Sequence, residues 1–210
     1  MTPEEVVTAI GGHKASAILR TDIESAAQPA MEAAVRAGFR VIEFTLTTPN
    51  ALALIESFSK REDLIVGAGT VVTAQQAEDA INAGAHYLVS PVVDEPVIET
   101  AVSRNVAMMP GTHTPTEMLR AHRAGAQLIK LFPAAGIGPA YIKAVRGPLP
   151  FLRIVPTNGV TAENAADYLR AGAFALGFVA PIFDPEALAA SDFQAIERRA
   201  SAVLHAVHAV

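Results

Sequence analysis

Residues 83–91 read Ala83-Gly84-Ala85-His86-Tyr87-Leu88-Val89-Ser90-Pro91, an amphipathic stretch running into Ala83 and an apolar run leaving from Ala85. That is a helix stopping at a glycine and a strand starting. A glycine just past the last helical turn takes the left-handed conformation without a Cβ clash, and the chain then enters extended backbone. The same phrase recurs as Ala37-Gly38-Phe39, Ala124-Gly125-Ala126 and Ala171-Gly172-Ala173, and Asn105 in Arg104-Asn105-Val106 suits the same role. The four glycines are 46, 41 and 47 residues apart, about twice one strand-plus-helix unit, so further units lie between them.

Working outward, the apolar runs predict eight buried parallel strands: 15–20, 40–45, 64–70, 85–91, 106–111, 127–133, 152–157 and 173–178. Helical patterns between them begin at Thr48-Pro49, Thr73, Asp94, Thr114-Pro115 and Thr161-x-Glu163. Eight such alternations over about 200 residues fit a (β/α)8 TIM barrel better than its rival, a doubly wound open sheet. Residues 1–10 then form an extra helix before the first strand, and 193–210 the last helix packing onto the barrel. No linker or low-complexity segment divides the chain, so residues 1–210 read as a single barrel domain.

Composition narrows the function. The 210 residues are 51% hydrophobic, enough for one good core. Sixteen Lys and Arg against twenty-one Asp and Glu give a net charge of −5, which argues against binding nucleic acid. Cysteine is absent, which removes disulfides, thiolate metal sites and a thiol nucleophile. Residues 1–10 carry two glutamates and no cationic region typical of a secretory signal, and no apolar run reaches the roughly 18 residues that span a bilayer, so the expectation is a cytoplasmic protein without membrane association. His205 and His208 lie one helical turn apart with no third ligand in view, so no metal site is expected.

A barrel keeps its active site at the C-terminal ends of its strands. Polar residues there are Arg20, Glu43 with Thr45, Thr70, Ser90, His113, Lys130 and Thr157. Two resist a structural explanation. Lys130 interrupts Leu128-Ile129-Lys130-Leu131-Phe132-Pro133, and Glu43 interrupts Val41-Ile42-Glu43-Phe44. Strand alternation turns each charge away from its apolar neighbours, into the barrel if those neighbours face the helices. The chain has four lysines, and Lys60, Lys143 and Lys14 sit in helical surface patterns or ahead of a strand. A desolvated lysine favours the neutral amine that attacks a ketone to give a Schiff base, and a nearby carboxylate can move the protons. A buried ion pair, or a lysine snorkelling to solvent, explains the same charges, and charge placement alone leaves these readings level. Arg20 suits a substrate carboxylate or a surface ion pair. Thr70 follows Gly67-Ala68-Gly69 as a hydroxyl beside closely approached backbone or as a plain turn residue. That glycine pair lacks the rest of a dinucleotide fingerprint, so no nicotinamide cofactor is expected.

The motifs Val41-Ile42-Glu43-x-Thr45-Leu46, Val66-Gly67-Ala68-Gly69-Thr70-Val71, Ser90-Pro91, Pro110-Gly111, Lys130-Leu131-Phe132-Pro133-Ala134 and Pro156-Thr157-x-Gly159-Val160 together resemble the class I KDPG/KHG aldolase family. Ile18-Leu19-Arg20 and Gly138-Pro139-x-Tyr141-Ile142-Lys143-Ala144 resemble its 2-dehydro-3-deoxy-6-phosphogalactonate branch more than its phosphogluconate branch. The resemblance runs from Ala15 to about Ile182. It implies a homotrimeric barrel that cleaves a 4-hydroxy-2-oxo acid to pyruvate and an aldehyde with no metal or cofactor. By the same resemblance Lys130 matches the Schiff-base lysine and Glu43 the acid/base glutamate. Arg20, Thr70, Pro91, Phe132, Thr157 and Gly159 match substrate-binding positions.

The chain departs from the family at its phosphate-binding end. Thr47 stands where phosphogluconate-type members carry an arginine, which passes carboxylate binding to Arg20. Asn158-Gly159 replaces Gly-Gly after strand 7, and Gly177-Phe178-Val179-Ala180 replaces a Gly- and Ser-containing turn after strand 8. Valine restricts backbone approach and alanine removes a hydroxyl donor. Asn158, Phe178, Val179 and Ala180 are therefore expected to form a more apolar distal pocket, with Phe183 nearby, although the start of a helix at Thr161 still offers amides to an anion. The alternatives are an imine-forming decarboxylase or dehydratase of 2-oxo acids, and a barrel that binds 2-oxo acids without turnover.

Overall fold

The computed structural model describes residues 1–210. In chain order the first half comprises α1 (Pro3–His13), β1 (Ala15–Leu19), α2 (Glu24–Arg36), β2 (Val41–Thr45), α3 (Ala51–Ser59), β3 (Ile65–Gly69), α4 (Ala74–Asn82), β4 (Tyr87–Ser90) and α5 (Glu95–Ser103). The second half comprises β5 (Ala107–Thr112), α6 (Pro115–Arg123), β6 (Ile129–Leu131), α7 (Pro139–Arg146), β7 (Ile154–Pro156), α8 (Ala165–Arg170), β8 (Leu176–Phe178), α9 (Pro185–Ala189) and α10 (Phe193–His208). The eight strands are parallel in the order β7-β6-β5-β4-β3-β2-β1-β8, and a bridge between Thr157 and Gly177 joins the two ends. The expected (β/α)8 barrel with an extra N-terminal helix is the observed fold.

Alternation along the strands divides the apolar residues into two layers. Ile42, Phe44, Ile129 and Leu131 belong to the large cluster between barrel and helices. Val41, Ile65, Tyr87, Met109 and Val155 fill the interior, together with Val6, Val7 and Ile10 of α1. The N-terminal helix therefore plugs the end of the barrel opposite the strand termini, and burial of each of its three apolar side chains contributes roughly 1.5–3 kcal/mol. Its start is fixed by a capping box, with the Thr2 hydroxyl accepting from the Glu5 amide and the Glu5 carboxylate accepting from the Thr2 amide.

Gly38, Gly84, Gly125 and Gly172 all take positive φ, as does Asn105, so the repeated phrase does end helices as read. Thr73, Asp94 and Thr114 cap their helices through side-chain oxygens. Two other helix starts differ. The Thr48 hydroxyl is occupied by Thr45 Oγ1, the Thr21 amide and the Leu19 carbonyl, so α3 begins later, after a left-handed Asn50. After strand 7, Asn164 accepts from the Thr161 amide and donates to the Gly159 carbonyl; this folds 161–164 into a turn and delays α8 to Ala165. Strands β6 to β8 are shorter than expected because their ladders run out within three residues. Helix α9 was not anticipated by the periodicity; Asp184 caps it, accepting from the Glu186 and Ala187 amides.

Candidate active site

At the C-terminal ends of the strands lies a cavity of about 240 Å3, with Arg20, Glu43, Lys130, Phe132 and Thr157 on its wall. Glu43 is 2% exposed and Lys130 6%. They reach the same space because β2 and β6 each turn their odd charge inward and their apolar neighbours toward the helices. Two inward glycines of β3 make the room. A Cβ on Gly69 would overlap Glu43 Oε1, and one on Gly67 would overlap the Tyr87 ring. Tyr87 is buried in the barrel interior, donating to the Ile42 carbonyl at 3.0 Å and lying 3.2 Å from Ser16 Oγ.

The electrostatics drive the two buried groups toward their neutral forms. Burial holds the Lys130 ammonium below its ordinary range, Glu43 opposes this, and Arg20 adds to it. Burial likewise raises the Glu43 carboxyl, while Lys130 and Arg20 pull it down. A lysine shifted down and a carboxyl shifted up thus share one cavity, each the other's main opposing charge. Lys130 Nζ sits 4.7 Å from the centre of the Phe132 ring, and the Thr112 hydroxyl donates to the Lys130 carbonyl at 2.9 Å. The burial that raises Glu43 acts on Tyr87 too, whose phenol is pushed well above its usual value, with Glu43 as the second cause.

Arg20 follows β1 at the rim, and its Nη2 donates to Thr70 Oγ1 at 2.9 Å. Asn158 and Gly159, both with positive φ, follow β7 onto the wall; Val160, Gly177, Val179, Ala180 and Pro181 complete it. A Cβ on Gly177 would lie 2.5 Å from Thr157 Oγ1, so that residue is bare where the wall is tightest.

Other expected site residues lie elsewhere. Thr70 is not on the cavity wall but is tied to it through Arg20. Pro91 is also off the wall, its carbonyl packed where a Gly111 side chain would be. Phe178 is a correction: alternation on β8 turns Gly177 inward and Phe178 outward, fully buried between barrel and helices, and Phe183 is buried in that same outer layer. Neither phenylalanine makes the distal wall apolar. The Ser90 hydroxyl closes a turn onto the Val92 carbonyl, and His113 lies outside the cavity with its carbonyl bonded by Tyr141. Ile18 and Gly177, both on the wall, are not among the expected residues, though the parity that selects Glu43 and Lys130 selects them too. A larger open groove of about 750 Å3, bordered by Gln28 and Arg36 of α2 and Leu54 of α3, lies away from both buried charges. No group of three or more His, Asp or Glu side chains is placed to hold a metal ion. No helix is long and apolar enough to cross a membrane.

Residues 8–199 match the sequence pattern of the KDPG and KHG aldolases. The chain belongs to the KDPG and KHG aldolase family. Among relatives of this aldolase, the probable 2-dehydro-3-deoxy-6-phosphogalactonate aldolase of Rhizobium meliloti (strain 1021) is 38% identical over 197 residues, covering 92% of this chain and 91% of the relative. A solved structure described as native KDPGal superposes with a TM-score of 0.84 at 29% identity, over 93% of this chain and 94% of that one. The KDPG aldolase of Legionella pneumophila, with pyruvate captured at low pH as a covalent carbinolamine intermediate, gives a TM-score of 0.85 at 28% identity, over 97% of this chain and 98% of that one. Both barrel and galactonate-type resemblance therefore stand, and the protein is a lyase of the aldolase type.

Proposed function

We propose that this aldolase cleaves a 4-hydroxy-2-oxo acid reversibly to pyruvate and an aldehyde through an imine on Lys130. The observation that carries the reading is the burial of Lys130 and Glu43 on the wall of one cavity, with Arg20 at its rim. The Lys130 amine adds to the C2 carbonyl, and the resulting carbinolamine loses water as Glu43 supplies a proton to the departing hydroxyl. The Glu43 carboxylate then takes the C4 hydroxyl proton. The C3–C4 bond breaks, its electron pair flows toward the iminium nitrogen, and the aldehyde leaves an enamine behind. Protonation at C3 and hydrolysis release pyruvate and restore the amine. Arg20 pairs with the C1 carboxylate, a role for which a guanidinium fork is shaped.

The aldehyde half then lies against Asn158, Gly159, Val179, Ala180 and Pro181. No Lys or Arg side chain lines that end of the cavity, and Pro181 has no amide hydrogen to offer. The remaining donors are the Asn158 side chain and backbone amides. This supports acceptance of unphosphorylated substrates, such as 4-hydroxy-2-oxoglutarate, at least as readily as 6-phospho sugar acids. The family resemblance supports a single-domain homotrimer, whose mass sedimentation of the purified protein tests, and a cytoplasmic location, which cell fractionation tests. The relatives compared are aldolases, and nothing in them favours a decarboxylase, a dehydratase or a binding barrel.

Borohydride reduction in the presence of pyruvate tests the imine. One reduced pyruvyl adduct is expected on the peptide carrying Lys130, and Lys130→Ala should lose both the label and cleavage. Labelling that persists in the alanine variant overturns the assignment.

A further inference from the structure

Thr70 follows β3 with φ at 59°, in the left-handed region that a β-branched residue rarely enters. Its neighbours hold it there. The Gly69 carbonyl accepts from the Leu46 amide at 2.8 Å, and the Val71 amide donates to the Val89 carbonyl at 3.0 Å, so the backbone is pinned to the residue after β2 on one side and to β4 on the other. The Thr70 side chain makes one hydrogen bond, the one it accepts from Arg20. Arg20 in turn has no carboxylate within ion-pairing distance, although other arginines such as Arg36, Arg61, Arg104 and Arg120 are paired. Its charge is held by a neutral hydroxyl and stays free for an anion.

The contact joins the ends of β1 and β3 across the end of β2, the strand that carries Glu43. It draws the guanidinium toward β3 and away from the β7 and β8 turns where the aldehyde half is placed. We infer that Thr70 is a positioning residue: its strained backbone aims a hydroxyl that fixes Arg20 on the side of the cavity where the substrate carboxylate binds. The inference rests on the aldolase reading above and assigns Thr70 a role through Arg20 in place of a direct substrate contact. Pre-setting the fork lowers the ordering cost of binding the carboxylate, so it acts on KM more than on kcat.

The test is a mutant cycle read as KM for the 2-oxo acid. Thr70→Val keeps the shape and loses the acceptor; Thr70→Gly loses the acceptor and also relieves the backbone. Each is expected to raise KM about tenfold, the scale of one hydrogen bond to a charged group, with kcat within about threefold. Thr70→Ser should restore KM. Thr70→Gly should not lower Tm, so a raised KM in that variant is not a folding defect. In an Arg20→Ala background the Thr70 substitutions should have no further effect on KM. An undiminished effect there would mean that Thr70 touches the substrate itself, and no effect in the native background would mean that it positions nothing; either overturns the inference. If Arg20→Ala leaves KM unchanged, the inference falls together with the carboxylate role of Arg20. Borohydride labelling of Lys130 at saturating pyruvate reports the imine separately, so loss of the aldolase reading is distinguishable from loss of this one.

Discussion

Gly69→Ala puts the Glu43 assignment under the most direct strain. Gly69 is the last residue of β3 and its φ is not positive, so the backbone accepts alanine. The obstacle is the carboxylate. The added Cβ would overlap Glu43 Oε1 and stand 2.8 Å from Cδ and 3.1 Å from Cγ, where ordinary contacts begin near 3.4 Å. Glu43 has to retreat by about 1 Å, and a misplacement of that size costs about 10²-fold in rate, or about 2.7 kcal/mol of transition-state stabilisation. Overpacking adds a stability cost of about 1–3 kcal/mol. Neither Lys130 nor Arg20 is touched, so the amine can still be trapped at saturating pyruvate, though more slowly because Glu43 also serves the dehydration step, and KM should change little. The assay is pyruvate release coupled to NADH oxidation, alongside borohydride trapping and thermal unfolding. Gly67→Ala, aimed at the Tyr87 ring instead, serves as a control that loses stability through a different neighbour. A Gly69→Ala enzyme whose kcat stays within threefold of the native value, with Tm lowered as expected, would show that the carboxylate need not occupy its observed position.

Three further outcomes are expected. Glu43→Gln keeps the shape but not the base, so kcat should fall by about 10² to 10⁴; imine formation, which needs the neutral amine, should rise with pH on a limb below the ordinary lysine range. Because Glu43 raises and Arg20 lowers the Lys130 value, Glu43→Gln should move that limb to lower pH and Arg20→Ala to higher pH, as rapid-quench borohydride trapping would record. On a matched pair of phosphorylated and unphosphorylated substrates, kcat/KM should not favour the phosphate ester, and Val179→Gly with Ala180→Ser should increase preference for it; a hundredfold native preference for the ester, about 2.7 kcal/mol, would refute the neutral distal wall. Ile10→Ala in the plug helix should cost roughly 2–5 kcal/mol in denaturant unfolding with KM unchanged, since that side chain is buried at the opposite end of the barrel.

Features whose signals are local were legible along the chain. Helix-ending glycines, threonine and aspartate caps, and runs of apolar residues all act within a few residues of themselves, so eight strands and the helices between them could be counted before any contact was known. The same period of two marked Glu43 and Lys130 as charges turned against their neighbours. What escaped depended on partners remote in the chain. Thr48 looks like a cap, but its hydroxyl is claimed by Thr21 and Leu19 of another unit. Motif position alone puts Phe178 in the pocket, whereas strand alternation, in register with Ser16 and Ala17 of β1, turns Gly177 inward and Phe178 outward. The bond from Arg20 to Thr70 spans 50 residues and bridges over a strand lying between them. These points rest on barrel closure, which brings the ends of β1, β2, β6, β7 and β8 around one cavity, and which hydroxyl meets which charge follows from that register rather than from any local preference.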